Sequence, residues 1–97
     1  MSTEPSIFTR IINREIPAEI IYEDEYCIVL PDKFPSMAGQ VVVVPKKQVA
    51  YITELDDTSY MHLMQVVKRA MKALDLGLGT VRTCIIVEGF ELPHVHI

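Results

Sequence analysis

Four consecutive valines, Val41 to Val44, constrain the fold of this chain more than any other stretch. A strand with one face in water alternates apolar and polar residues, because successive side chains point to opposite faces. Four valines in a row leave no face for water, so Gly39 to Pro45 is expected as a central strand. Lys46 and Lys47 then close it into solvent.

The other elements follow from local signals on either side of that strand. Ser6 is a cap for a first helix, Ile7 to about Asn13, on which Ile7, Phe8, Ile11 and Ile12 form an apolar stripe. Pro17 ends it, since the residue before a proline is pushed out of helical space. Ile20 to Glu23 reads as a strand, Asp24-Glu25 as a tight turn, and Tyr26 to Leu30 as the second arm of a hairpin. Pro31 to Ala38, with two prolines, is a loop. Tyr51 to Leu55 suits a short helical turn. Asp57 caps a long helix, Thr58 to about Leu74, with Tyr60, Leu63, Met64, Val67, Ala70, Met71 and Leu74 on one face. His62 falls with Gln65, Lys68, Arg69 and Lys72 on the solvated face. Gly77-Leu78-Gly79 breaks the helix, Thr83 to Glu88 is a further strand, and Gly89 to Pro93 turns the chain into a last one. The order α-β-β-β-α-β-β with short connections predicts an α+β domain with an antiparallel sheet of about five strands and two helices.

Ninety-seven residues, 49% hydrophobic and 23% charged, make one globular domain spanning 1–97. A formal charge of −4 gives no attraction to polymeric nucleic acid or an anionic membrane surface. No window has the length of a membrane span. Met1 to Pro5 has no basic segment followed by an apolar run, so neither a signal nor a transit peptide is read there, and a cytoplasmic location is expected. Cys27 and Cys84 fall within expected buried strands, and both are expected as small core residues.

Gly89-Phe90-Glu91-Leu92-Pro93-His94-Val95-His96-Ile97 carries the chemistry. In a strand His94 and His96 share one face while Val95 and Ile97 share the other. Three readings of that pair compete. A metal site needs further ligands, and no Cys-X-X-Cys, His-Glu-X-X-His or clustered carboxylates supply them. Two merely packed histidines are disfavoured, because like charges in register oppose joint protonation. In the third reading one imidazole attacks phosphorus, while its neighbour fixes the tautomer or shuttles a proton.

Phe8-Thr9-Arg10-Ile11-Ile12-Asn13-Arg14-Glu15-Ile16-Pro17-Ala18, Val43-Val44-Pro45-Lys46-Lys47 and Pro93-His94-Val95-His96-Ile97 together resemble the histidine triad (HIT) superfamily of nucleotide hydrolases and transferases, in particular its nucleoside phosphoramidase-like branch. The family motif is His-φ-His-φ-His-φ-φ, with φ apolar, and this sequence ends two histidines into it, so the domain is expected to be cut within its last strand. The resemblance implies that His96 is the nucleophile toward an α-phosphate and that His94 supports it. It implies that Asp32 binds ribose hydroxyls, that Phe8, Ile11 and Leu30 line a base pocket, and that Gly89 lies beside the nucleotide. It further implies a purine nucleotide or nucleotide conjugate as ligand, a homodimer, and no cofactor. Backbone N–H groups beside the histidines would receive the developing oxyanion charge.

The sequence departs from the family pattern at several positions. Gln40 and Gln48 stand where relatives often have histidine, Val87 where asparagine is frequent, and Phe90 where glutamine is common. Ser6-Ile7-Phe8-Thr9 replaces the Cys-X-X-Cys of zinc-binding relatives, so no metal is expected. Val87 and Phe90 remove polar groups from the phosphate side. That favours a rival expectation, a nucleotide-binding or interaction module with little or no catalysis.

Overall fold

The computed structural model describes residues 4–97. Met1 to Thr3, and with them part of the segment read as carrying no signal or transit peptide, lie outside the described residues. Helix α1 spans Ile7–Ile12, followed by strands β1 (Tyr22–Glu23), β2 (Cys27–Pro31) and β3 (Val41–Pro45), a 3-10 turn (Ile52–Glu54) and helix α2 (Asp57–Leu78).

The strands form an antiparallel sheet in the order β1-β2-β3. Asp24 makes the first turn tight, because its Oδ1 accepts from the backbone N–H of Tyr26 (2.8 Å) and of Cys27 (3.0 Å). Register then pairs Val29 with Tyr22 on one side and with Val43 on the other. The period of two divides the apolar residues between two cores. Cys27, Val29 and Val43 pack with Leu63, Val66 and Val67 of α2, while Ile28, Leu30, Val42 and Val44 pack with Phe8 and Ile11 of α1. Each face is covered by a helix, which is why the valine run needs no polar residue.

Five strands were expected; among the described residues three reach strand length, and two further segments join through one residue pair each. Ile97 exchanges two backbone hydrogen bonds with Val43 (2.8 and 3.0 Å), on the edge of β3 away from β2, and His96 exchanges two with Glu88 (3.0 and 2.9 Å). The histidine segment therefore lies between β3 and Glu88. Of the expected strand Thr83 to Glu88 only Glu88 is paired. The stretch before it is tied back to α2 instead, where Asp75 accepts from the hydroxyls of Thr80 (2.5 Å) and Thr83 (2.6 Å). Cys84 is consequently exposed, contrary to expectation, whereas Cys27 is buried.

Helix α2 is capped one residue earlier than expected, Asp56 accepting from the Ser59 N–H (3.2 Å), and it runs through Gly77 to end at Gly79, which adopts the left-handed conformation with φ 66°. Tyr60, placed on the apolar face by spacing, is exposed, and Val66 is buried there.

Candidate active site

His94 and His96 fall on the α1 side of the sheet, against Phe8, whose ring centroid lies 5.6 Å from that of His94 and 5.2 Å from that of His96. Val95 is buried, and Ile97 packs against the α2 core. The division of the segment into an imidazole face and an apolar face is therefore as expected.

His94 is sealed from solvent, and its two ring nitrogens have different partners. Nε2 lies 2.7 Å from the Pro45 carbonyl oxygen, which only accepts, so Nε2 carries the proton. Nδ1 then accepts from the Ser6 hydroxyl at 2.6 Å. Ser6 Oγ in turn accepts from the Thr9 N–H, which makes the same hydroxyl the cap of α1. Gln48 completes the network: its Oε1 accepts from Ser6 N–H (2.8 Å) and Thr9 Oγ1 (2.6 Å), and its Nε2 donates to the Glu4 carbonyl (2.8 Å). Burial, opposed by the Pro45 bond and aided by nearby His96, holds His94 below the ordinary imidazole range, so the ring stays neutral.

His96 is less enclosed. Its Nδ1 donates to the His94 carbonyl (3.0 Å), which fixes the proton there and leaves Nε2 as the other ring nitrogen for chemistry. Nε2 lies 3.2 Å from Oε2 of Glu88, and the other oxygen of that carboxylate accepts from the N–H groups of Phe90 (2.5 Å) and Glu91 (3.3 Å). The Phe90 N–H foremost, against some burial, holds the Glu88 carboxyl below the usual carboxylate range. Sequence reasoning passed over Glu88. Its position next to the expected turn was visible, but its opposition to His96 depends on register.

A cleft of about 430 Å³ brings His96 and Glu88 together with Asp32, Gln40 and Glu91. Asp32 holds its loop closed, its Oδ2 accepting from Gln40 Nε2 (2.7 Å) and its Oδ1 from the Phe34 N–H (3.0 Å). A carboxylate has about four acceptor sites, so Asp32 keeps two for a ligand. Phe8 and Leu30 are core residues behind the histidine face and do not line this cleft. Ile11, also mostly buried, borders a separate hollow of about 340 Å³ with Arg14, Ile16, Pro17, Ala18 and Ile20. Gly89 has a packing reason for its identity, since a Cβ there would stand 2.0 Å from the Ala50 carbonyl oxygen. Val87 and Phe90 are exposed.

A second polar cluster lies at the β1-β2 turn. His62, expected in solvent, is half-buried, stacks on Tyr26 at 4.5 Å and places Nε2 2.6 Å from Asp24 Oδ2. Asp24, Cys27 and His62 offer oxygen, sulfur and nitrogen within 4.8 Å of one another. Their chemistry does not suit a metal ion. Burial first, with the Asp24 charge second, pushes the Cys27 thiol up to about 12, and the Asp24 oxygens already accept from Tyr22, Tyr26, Cys27 and His62. The cluster instead fastens the hairpin to α2.

Comparison with known proteins gives a consistent picture. A model of the HIT domain matches residues 13–97. An uncharacterized HIT-like protein of Synechocystis is 37% identical over 101 residues, covering 97% of this chain and 87% of that protein. A HIT family protein of Bacillus subtilis superposes with a TM-score of 0.87 at 23% identity, covering 96% of this chain and 70% of that one. A HIT family hydrolase of Legionella pneumophila superposes at 0.74 with 26% identity, covering 94% and 87% respectively.

Proposed function

Since the chain belongs to the histidine triad (HIT) family, we propose that it is a nucleotide-binding hydrolase or transferase acting at the α-phosphate of nucleoside 5′-phosphoramidates, acyl nucleotides or dinucleoside polyphosphates. One observation carries this reading: the His96 Nδ1 proton is held by the His94 carbonyl, which leaves Nε2 as the nitrogen for attack, and His96 lines the same cleft as Asp32. His96 attacks the α-phosphorus, the leaving group departs, and water releases the monophosphate from the nucleotidyl-histidine. His94 acts as a positioning residue, anchored at Ser6 and Pro45, and its backbone oxygen orients His96. Asp32 receives the ribose hydroxyls and Gly89 lies beside the nucleotide. The HIT family hydrolase of Legionella pneumophila supports the hydrolytic class. Two copies associate through the exposed apolar stretch that includes Val81 and Ile86.

The test is the intact mass of the protein before and after brief incubation with adenosine 5′-phosphoramidate, quenched cold at alkaline pH. A nucleotidyl mass on the peptide containing His96 is expected, and His96→Ala is expected to abolish turnover while sparing nucleotide binding. A folded protein that binds nucleotide yet gives neither adduct nor monophosphate is a binding module instead, the reading that exposed Val87 and Phe90 would favour.

A further inference from the structure

A leaving amine, alcohol or phosphate needs a proton, and the proposed nucleophile must be free of one at the attacking nitrogen. Of the two roles the sequence offers the neighbouring histidine, fixing the tautomer or shuttling a proton, the second is closed to His94. Both of its ring nitrogens are engaged, at Ser6 Oγ and the Pro45 carbonyl, and the ring has no exposed surface. The cleft's other acidic side chains are Asp32, Glu88 and Glu91. Asp32 is tied to Gln40 and to the Phe34 N–H. Among the described residues, the carboxylate at the nucleophilic nitrogen is that of Glu88, with Oε2 3.2 Å from Nε2.

Its placement is built rather than incidental. Glu88 and His96 are locked opposite each other by the reciprocal backbone bonds, so the two side chains are neighbours by register. The Phe90 and Glu91 N–H groups hold one carboxylate oxygen and leave the other to face the imidazole. About a third of the Glu88 side chain is exposed, against 16% of that of His96, so Oε2 borders both the nucleophile and solvent.

Building on the nucleotidyl-histidine reading above, we propose that Glu88 is a catalytic residue that takes the proton from His96 Nε2 and delivers it to the leaving group. In the reactive form the pair carries one proton between Glu88 Oε2 and His96 Nε2, which lie 3.2 Å apart. Oε2 takes the Nε2 proton, and the freed lone pair bonds to the α-phosphorus. The bond from phosphorus to the leaving atom breaks, its electron pair goes to that atom, and the proton on Glu88 follows it, so the group leaves neutral at that position. In the second half a water oxygen bonds to phosphorus as the P–Nε2 bond breaks. That electron pair returns to Nε2, and a water proton passes through Glu88 to the ring. The net change is substrate plus water to nucleoside monophosphate plus the protonated leaving group.

The experiment compares two substrates of different leaving-group basicity, an N-alkyl adenosine phosphoramidate and the 4-nitrophenyl ester of adenosine monophosphate. The alkylamine must be protonated to leave, whereas nitrophenolate leaves as the anion. Glu88→Gln is expected to lower kcat/KM for the amidate by about 10²- to 10⁴-fold, the usual worth of a positioned acid or base, and to lower it by a clearly smaller factor for the nitrophenyl ester, which needs the nucleophile freed but no proton on its leaving group. An equal loss on both substrates would make Glu88 a structural support, and no loss on either would remove it from the reaction; both results overturn the proposal. If Glu88→Gln does not fold, Glu88→Asp decides by the same comparison, because it keeps the carboxylate but draws it back from Nε2. Failure of the underlying reading looks different: the unmodified protein would then release neither leaving group, or would release both with His96→Ala unimpaired.

Discussion

The Ser6 hydroxyl serves two groups that are far apart in sequence, capping α1 and donating to the buried Nδ1 of His94. Ser6→Ala removes both bonds and leaves the sealed Nδ1 only its longer contact to the Thr9 hydroxyl at 3.4 Å. The expected loss is about 1–3 kcal/mol for the under-satisfied group, read from urea unfolding at neutral pH. His94 also sets a pH dependence. Burial lowers its affinity for a proton in the folded state, so the unfolded chain binds the proton more readily. Stability therefore rises with pH between the two values: it is full above about 6.5 and declines as pH falls from there toward the lowered folded value. His94→Gln is expected to flatten that part of the profile; a slope unchanged in the variant would assign it to another group. Gly89 is constrained by space alone, and Gly89→Ala is expected to cost about 1–3 kcal/mol through the clash with the Ala50 carbonyl. An unchanged thermal midpoint would show that the 89–91 turn yields freely.

At the scale of elements, what the sequence disclosed divides by the range of the determining interaction. The Ser6 cap, α1, the hairpin turn at Asp24 and the two faces of the histidine segment all depend on neighbours a few residues away, and their spacing shows them. The end of α2 does not, because a glycine inside a helix costs only about 1 kcal/mol. Gly77 is carried through, and the stop falls at Gly79, whose left-handed conformation ends the helix. The apolar run near Cys84 resembles a strand, but its partners were never in the local pattern. The bond from His94 to Ser6 and the approach of Glu88 to His96 were equally invisible, since one spans 88 residues and the other rests on register. His62 is a further case, its partner Asp24 lying 38 residues earlier. Burial pushes the Asp24 carboxyl up, but hydrogen bonds from His62, Tyr22 and the Tyr26 and Cys27 N–H groups outweigh it and hold the group well below the usual carboxylate range. Its contribution is present above the unfolded value of about 3.9 and is lost as pH falls below it. Asp24→Asn should flatten the acid limb below about pH 4, and a double-mutant cycle with His62→Ala should give a coupling of about 0.5–3 kcal/mol. Additivity of the two variants would mean that the hairpin and α2 are held together by the apolar core alone.

For the molecule as a whole, the two cores bury the sheet on both sides, yet the chain leaves a run of apolar side chains uncovered beyond α2. Val81 is 94% exposed and Ile86 78%, with Ile85, Val87 and the α2 residues Leu76 and Leu78 also exposed. Single exposed apolar residues are ordinary, but a succession of them is a surface that the proposed dimer would cover. A two-fold dimer meets that need with one kind of patch on both copies, since a residue that contacts its counterpart near the axis is buried twice. Glu88 lies at the end of the same stretch and is paired with His96. Covering Val81 to Val87 would therefore also steady the carboxylate beside the nucleophile, which links assembly to the proposed proton transfer. Sedimentation equilibrium of the unmodified protein at micromolar concentration is expected to give twice the chain mass, and Ile86→Glu to give the single chain. In that variant activity on the amidate should fall further than activity on the nitrophenyl ester, following the pattern of Glu88→Gln. A protein that sediments as a monomer at every concentration would disprove the dimer. A monomeric Ile86→Glu with full activity on both substrates would separate assembly from chemistry and leave Glu88 dependent only on its own backbone pairing.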